Sequence, residues 1–205
     1  MSQYIDLSQT IKNAMPVHPY DDEVKLYQDK YLERDQYNNS KLEAGMHIGT
    51  HIDLPRHLLD RTELICDFAI ERFIGKGCLL DVRGEAVISM KEEYQHLVKE
   101  SDIVLLHTGF DEKFGTHEYY NEHPVIDEQL AQFFIEKGVK MVGLDTPSPD
   151  QYPFEIHKLL FENEIFIIEN LMNLHKLRDV STFEVLAFPL NIQAEASLAR
   201  VVAKI

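Results

Sequence analysis

The sequence contains no tryptophan, only two cysteines and no long apolar run. Cys66 and Cys78 do not form a CxxC pair, which argues against a disulfide framework and a thiolate zinc knuckle, and we predict that both are buried small hydrophobic residues. The first residues, MSQYIDLSQT, have neither the basic start nor the apolar stretch of a signal peptide, and no segment approaches the length of a membrane span. We therefore expect a soluble, cytoplasmic protein without a membrane partner.

Positive charge is also scarce, with 20 lysines and arginines against 35 acidic residues and a formal net charge of −15. Such a surface disfavours nucleic acids and anionic membranes, whereas acidic residues around a pocket would favour bound cations. With 205 residues, 44% of them hydrophobic, the chain suits one compact domain with a core. Five of the ten histidines follow no pattern, and we predict that they are surface or loop residues: His18, His96, His117, His123 and His175.

Short β-like runs alternate with segments of helical spacing, which predicts an α/β architecture. The predicted strands are CLLDV at 78–82, DIVLLHT at 102–108, VKMVGLD at 139–145 and EIFIIEN at 164–170. The predicted helices are MKEEYQHLVKE at 90–100 and IDEQLAQFFIEKG at 126–138. The second helix has Asp127 and Glu128 in its opening turn and stops at Gly138, as a helix with an acidic start and a glycine end should.

The stretch HIGTHIDLPRH, residues 47–57, concentrates three histidines and an aspartate. A helix is disfavoured because it would hold a glycine and a proline in its interior. In an extended chain, the odd positions carry His47, His51, Asp53 and His57, while the even positions are mostly apolar. One face of the segment would then carry the ionisable side chains, and the other would face a core. A polar sheet face in water remains an alternative.

A straight strand would hold His47 and His51 roughly 13 Å apart, at ~3.3 Å per residue, which is too far for both imidazoles to bind one ion. Gly49 lies between them and tolerates unusual dihedrals, so we predict a bend or bulge there. A bend would allow Asp53 to close on the same ion. We therefore predict that Gly49 is structural and that Gly49→Val abolishes metal binding.

HIGTHIDLPRH resembles the HxGTHxDxPxH signature of the cyclase family of metal-dependent hydrolases, which includes bacterial kynurenine formamidases. The resemblance extends to IDLSQTI at 5–11, MPVHP at 15–19, LLHTGFDEKFG at 105–115 and VGLDTPSPD at 142–150. It implies a single α/β domain over residues 1–205, of the swivelling β/β/α type, with a central mixed β-sheet and flanking helices. It also implies that His47, His51 and Asp53 bind a metal, that Asp53 reaches a second ion, and that His57 transfers protons.

The resemblance further implies that His157 and Glu169 complete the second metal site. Glu169 has independent support, because it ends the apolar run EIFIIEN and a buried carboxylate needs a partner such as a metal; a Glu reaching water is the alternative. We expect Gly49, Thr50, Asp145 and Ser148 to orient the ligands or to support the backbone around them, and not to bind the metal directly. The pattern leaves open whether Asp145, Ser148 and Asp150 touch metal, orient ligands or cap a helix. His107 is placed near the site without a role, and Arg56 is given a salt-bridge or surface role.

Nitrogen and oxygen donors without thiolate suit zinc, manganese, iron or cobalt, and the resemblance points to zinc, with manganese as the runner-up, as one or two ions per chain. The implied activity is hydrolysis of a small linear amide by metal-activated water, most simply N-formylkynurenine to kynurenine and formate. His57 would pass a proton to the departing nitrogen. Hydrolysis of an isatin-type lactam or an ester, cyclisation or dehydration, and non-catalytic metal binding remain alternatives.

The C-terminal stretch FPLNIQAEASLARVVA carries AEAS where the family commonly has glycine-rich, proline-containing sequence. This departure falls near the expected pocket or a subunit contact, and it bears on specificity. The expected partners are a small-molecule substrate and, by resemblance only, a second copy in a homodimer or a larger homo-oligomer.

Overall fold

The computed structural model describes residues 3–205. Its strands are β1 (Tyr4–Asp6), β2 (Lys25–Lys30), β3 (Asn39–Glu43), β4 (His51–Asp53), β5 (Ile74–Asp81), β6 (Val87–Ile88), β7 (Ile103–His107), β8 (Val125–Ile126), β9 (Met141–Leu144), β10 (Phe166–Glu169), β11 (Glu184–Pro189) and β12 (Ala196–Lys204). Its α-helices are α1 (Leu32–Asp35), α2 (Tyr94–Leu97), α3 (His117–Asn121), α4 (Glu128–Lys137) and α5 (Glu155–Glu162). Short 3-10 turns lie at Pro55–His57, Ile65–Asp67, Ile70–Phe73, Phe110–Lys113 and Leu174–Leu177.

The main sheet is mixed, with the strand order β1-β12-β11-β5-β7-β9-β10-β4. β5, β7, β9 and β10 run parallel to one another, whereas β1, β4, β11 and β12 make antiparallel pairs. β12 also pairs with β4, which closes the sheet onto itself. The prediction of an α/β architecture with a mixed sheet is confirmed, and all four predicted strand runs contain a strand.

The strands β7, β9 and β10 are buried throughout, because their side chains alternate between two cores. Along β7, Val104 and Leu106 belong to one apolar cluster, and Ile103 and Leu105 belong to another. The first cluster includes buried residues of α4 and α5, while the second includes residues of β4, β11 and β12. A strand that is buried on both faces has a continuous apolar sequence, as DIVLLHT has at Ile103–Leu106.

Helix α4 matches its prediction closely. Asp127 is the N-cap, its side chain accepts a hydrogen bond from Leu130 N, and Gly138 ends the helix in the left-handed conformation. The prediction for MKEEYQHLVKE was wrong over most of its length, since only Tyr94–Leu97 is helical. Its apolar side chains Tyr94 and Val98 are buried in the first core from a short helical turn. No helix among residues 3–205 has the length and apolar character needed to cross a lipid bilayer.

Both cysteines are free, and the prediction that both are buried was wrong, since each is only partly buried. Cys78 packs partly against the first core, and the Cys66 thiol lies near the Asp67 carboxylate.

Candidate metal centre

The segment 47–57 bends at Gly49, as its spacing predicts. Gly49 has φ +52°, and regular strand geometry is limited to β4, residues His51–Asp53. The bend brings the rings of His47 and His51 to a centroid distance of 5.2 Å. The apolar even positions face inward, since Ile48, Ile52 and Leu54 are buried.

Five predicted ligands form two groups that share one carboxylate. His47, His51 and Asp53 make the first group, and Asp53, His157 and Glu169 make the second. Within each group, one ligand atom per residue lies within 4.8 Å of the others. Four of the five residues are buried, and His47 is partly exposed. Each group has a donor set that would hold a divalent ion, and Asp53 is common to both groups.

Sheet pairing explains why residues so distant in sequence meet here. β10 pairs with β4 so that Glu169 lies opposite His51. His157 lies in the first turn of α5, and its Nε2 is 3.2 Å from Glu169 Oε1. His51 Nε2 lies 3.3 Å from Glu169 Oε2 and 3.4 Å from Asp53 Oδ1, so the two groups adjoin.

The hydrogen-bonding state of the cluster fits a bound cation. Six buried side-chain atoms make no hydrogen bond of acceptable geometry within residues 3–205, and three of them belong to the cluster: His51 Nε2, Asp53 Oδ1 and Glu169 Oε1. Leaving a buried polar atom without a partner costs about 1–3 kcal/mol. The three atoms belong to the two ligand groups, and a divalent ion with nitrogen and oxygen ligands would satisfy all of them.

The charges of the cluster lead to the same conclusion. Burial disfavours the charged form of Asp53, but the imidazoles of His51 and His47 hold the pKa of its carboxyl well below the ordinary value. Burial likewise opposes a charged His157, yet its close contacts with the carboxylates of Asp150 and Glu169 raise the pKa of the ring to about 10. Without metal, therefore, protons on the imidazoles supply the positive charge that the carboxylates require, and a metal ion would replace them.

Each imidazole uses its second nitrogen outside the cluster. His51 Nδ1 is 2.9 Å from Gly49 O, and His157 Nδ1 is 2.5 Å from Asp150 Oδ1. Asp150 Oδ2 also accepts the backbone N–H groups of Ile156 and His157 at the start of α5. Asp150, whose role the sequence left open, therefore orients His157.

His57 adjoins the ligands but belongs to neither ligand group. It ends the 3-10 turn Pro55–His57, and its ring centroid lies 4.1 Å from that of His47. Burial lowers the pKa of His57 below its ordinary value, so the ring is neutral near pH 7. A neutral imidazole next to a metal site is able to accept or relay a proton.

The supporting residues named from the sequence lie around the cluster. Thr50 accepts a hydrogen bond from Gln9 N and donates one to Asn170 O, which ties β4 to two loops. Ser148 Oγ accepts from Asp150 N at 3.3 Å, and so supports the turn before α5. All three hydrogen bonds have a structural role.

Asp145 is fully buried but belongs to neither ligand group. It accepts hydrogen bonds from Thr108 N, Thr108 Oγ1 and Gly109 N, and burial raises the pKa of its carboxyl to about 6. Its contacts tie the ends of β7 and β9 together. His107 Nδ1 lies 3.9 Å from Asp81 Oδ1, the exposed Arg56 donates to Arg61 O, and neither residue belongs to a ligand group.

A cavity of about 710 Å³ opens onto the cluster. Its walls include aromatic side chains, namely Tyr20, Phe114, Tyr120, Tyr152 and Phe154. His57, His47, Asp53, His157 and Glu169 line its inner end. No lysine or arginine occurs among the described residues that line it. The cavity suits a small aromatic molecule whose reacting group reaches the cluster.

Sequence reasoning missed three residues near the cluster. His123 was predicted at the surface, but it is buried, lines the cavity and contacts Asp150 O through Nε2 at 3.2 Å. Asn170, at φ +56°, places its amide nitrogen 3.5 Å from His51 Nδ1. Glu195, in the AEAS segment, lies 3.3 Å from His47 Nε2. The only sequence signal was indirect: Asn170 follows the ligand Glu169 directly, and AEAS departs from the family pattern.

Known proteins resemble this chain along most of its length. The model of the Cyclase family, described as "Putative cyclase", matches residues 5–151. A kynurenine formamidase from Bacillus cereus is 30% identical over 207 residues, covering 98% of this chain and 97% of the relative. A "predicted metal-dependent hydrolase from Bacillus stearothermophilus" is 26% identical, with a TM-score of 0.80 over 100% of this chain and 98% of that one. Isatin hydrolase A from Ralstonia solanacearum shares the fold at 20% identity, with a TM-score of 0.87 over 100% and 92% of the two chains.

Proposed function

This chain belongs to the Cyclase family, and we propose that it is a metal-dependent hydrolase of a small aryl formamide, converting N-formylkynurenine to kynurenine and formate. The observation that carries the proposal is the pair of ligand groups sharing Asp53 at the inner end of an aromatic cavity. The name of the Bacillus cereus relative supports the choice of substrate.

We propose that His47, His51 and Asp53 hold one divalent ion and that Asp53, His157 and Glu169 hold a second. Nitrogen and oxygen donors without thiolate suit zinc, manganese, iron or cobalt, and we propose zinc first and manganese second on the resemblance to the family. A divalent ion there supplies a Lewis acid that polarises the formyl carbonyl and lowers the pKa of water toward neutrality.

The chain's own residues bind the substrate and move its protons. The aromatic walls, among them Phe114 and Tyr120, would hold the aryl ring by apolar contact. Amide hydrolysis requires a proton on the departing nitrogen, since an amide anion is a poor leaving group. His57 is neutral and lines the cavity beside the ligands, so it would take the proton released by the attacking water and pass it to that nitrogen.

The presence of His57 also favours catalysis over metal binding alone. A non-catalytic centre needs only its ligands, whereas this cavity holds a further imidazole 4.1 Å, ring to ring, from a ligand. Isatin-type lactams, esters, cyclisation and dehydration remain alternative chemistries for the same centre. They differ in the electrophile or in the group that attacks it.

A substrate panel tests the proposal. Purified protein loaded with zinc or with manganese is assayed on N-formylkynurenine, on an uncharged aryl formamide and on isatin, each beside a chelator-treated control. We expect metal-dependent release of formate from both formamides, with kcat/KM of at least ~10⁴ M⁻¹s⁻¹ for the better one. Faster opening of isatin than of either formamide would replace the formamidase assignment with a lactamase one. Turnover unaffected by the chelator would overturn the metal-dependent mechanism.

Three further expectations belong to this proposal. We propose that residues 1–205 form a single domain of the swivelling β/β/α type. We propose a homodimer or a larger homo-oligomer, which light scattering would test. We also propose a cytoplasmic location and no nucleic-acid partner, given the net charge of −15.

A further inference from the structure

Glu195 is placed beside the candidate metal centre by the strand pairing that closes the sheet. Ala196, the first residue of β12, pairs with Asp53 of β4, and Leu54 N donates a hydrogen bond to Glu195 O at 3.2 Å. The backbone of Glu195 is therefore fixed next to the strand that carries two ligands. Its side chain is 38% exposed, which puts the carboxylate at the rim of the centre.

The Glu195 carboxylate faces the outer edge of the His47 ring. Its Oε1 lies 3.3 Å from His47 Nε2, while His47 Nδ1 lies 2.9 Å from Asp53 Oδ1 on the inner side. The His47 ring thus stands between two carboxylates, of which only Asp53 belongs to a ligand group.

The other two imidazoles of the centre have the same arrangement. The outer nitrogen of His51 contacts Gly49 O, and the outer nitrogen of His157 contacts Asp150 Oδ1. In each case, an acceptor on the outer nitrogen leaves the lone pair of the inner nitrogen for the cluster. Metal-binding histidines in proteins usually have such a partner, which fixes the ring orientation and the tautomer.

We propose that Glu195 is a positioning residue for His47: it accepts the Nε2–H of the ring and so directs the Nδ1 lone pair toward Asp53 and the metal. The inference rests on the proposed metal-dependent function. It gives the AEAS segment a role in metal binding, although that segment departs from the family pattern. Glu195 is not itself a ligand in this proposal.

The test measures zinc affinity and the His47 tautomer, apart from activity. Metal-free wild-type protein and the variants Glu195→Ala and Glu195→Gln are titrated with zinc in competition with a chromophoric chelator. Glu136→Ala, on the exposed side of α4, is the matched control. Nitrogen-15 NMR of the zinc-loaded proteins identifies which nitrogen of His47 carries the proton.

We expect Glu195→Ala to weaken zinc binding 10- to 100-fold, the range found when outer partners of metal ligands are removed. Glu195→Gln should stay within about threefold of the wild type, because its amide oxygen still accepts the Nε2–H. Glu136→Ala should match the wild type. The wild-type protein should show protonated Nε2 on His47, and Glu195→Ala should show a mixture of tautomers.

Three results would overturn the proposal. Unchanged zinc affinity in Glu195→Ala would show that Glu195 does not position His47. A loss of bound zinc that is equal in Glu195→Gln and Glu195→Ala, with Nε2 of His47 unprotonated, would make Glu195 a ligand. Absence of zinc binding by the wild-type protein would overturn the proposed metal centre together with this inference, whereas zinc binding without formamide turnover would overturn only the substrate assignment.

Discussion

Replacing Gly49 with alanine should weaken metal binding, although Gly49 itself offers no side chain to the metal. Gly49 has φ +52°, and a left-handed conformation costs an L-residue ~1–2 kcal/mol. A Cβ at this position would lie 2.9 Å from Ile11 Cδ1 and 3.4 Å from Met15 Cε, so the Ile11 side chain or the Gly49 backbone must also move. The Gly49 carbonyl contacts His51 Nδ1, and any shift therefore moves a ligand.

Gly84→Ala is the matched control for this substitution. Gly84 also has positive φ, at +83°, but a Cβ there would meet no other side chain or backbone atom within 4 Å, and Gly84 does not line the cavity. We expect Gly84→Ala to lower the free energy of unfolding by ~1–2 kcal/mol with normal zinc affinity. Gly49→Ala should lower stability further and weaken zinc binding at least about tenfold, which corresponds to ~1.4 kcal/mol.

Chemical denaturation of the metal-free proteins and zinc competition titrations measure the two effects separately. Equal stability losses in the two variants, with unchanged zinc affinity in Gly49→Ala, would show that the conformation of Gly49 does not position the metal ligands. The larger Gly49→Val, with a β-branched side chain at the same φ, should abolish metal binding. Full metal content in a folded Gly49→Val protein would remove the structural role of Gly49.

Three other substitutions test separate parts of the site. His57→Ala should retain metal and lower kcat by about 10²–10⁴-fold, whereas unchanged turnover would refute its proton-transfer role and lost metal would make it a ligand. Asp150→Asn should weaken zinc binding 10- to 100-fold because His157 loses its carboxylate partner, and a change below about threefold in the competition titration would contradict this. Burial raises the pKa of the Asp145 carboxyl from 3.8 to about 6, so the neutral carboxyl stabilises the folded state below pH 4. This stabilisation, roughly 3 kcal/mol, is lost as the pH rises through 6. Asp145→Asn should lack this component of the unfolding free energy between pH 4 and 6, and identical pH profiles for the two proteins would rule it out.

The sequence was most informative where the determinants are local. The spacing of His47, Gly49 and His51 required a bend for one ion, and the structure has it at the glycine. The acidic start and the glycine end of α4 were equally local signals, and both caps are present. In these segments, short-range sterics and hydrogen bonds determine the conformation.

Long-range pairing accounts for what the sequence did not predict. Glu195 meets His47 only because β12 crosses to β4 and closes the sheet, and no local periodicity encodes that pairing. The buried His123 ring places Nε2 3.2 Å from the backbone carbonyl of Asp150 in another loop, and no local pattern in the sequence indicates that contact. MKEEYQHLVKE has helical spacing, but a short turn is enough to bury Tyr94 and Val98.

We expect hydrolysis by this protein to depend on metal held by the two ligand groups around Asp53. The most direct measurement is a titration of metal-free protein with zinc, in which bound zinc and turnover of N-formylkynurenine are recorded on the same samples. We expect turnover to rise with bound zinc and to saturate at one or two equivalents per chain, and we expect Asp53→Asn to show neither tight binding nor turnover. Full turnover in the metal-free protein, or in Asp53→Asn, would contradict this expectation.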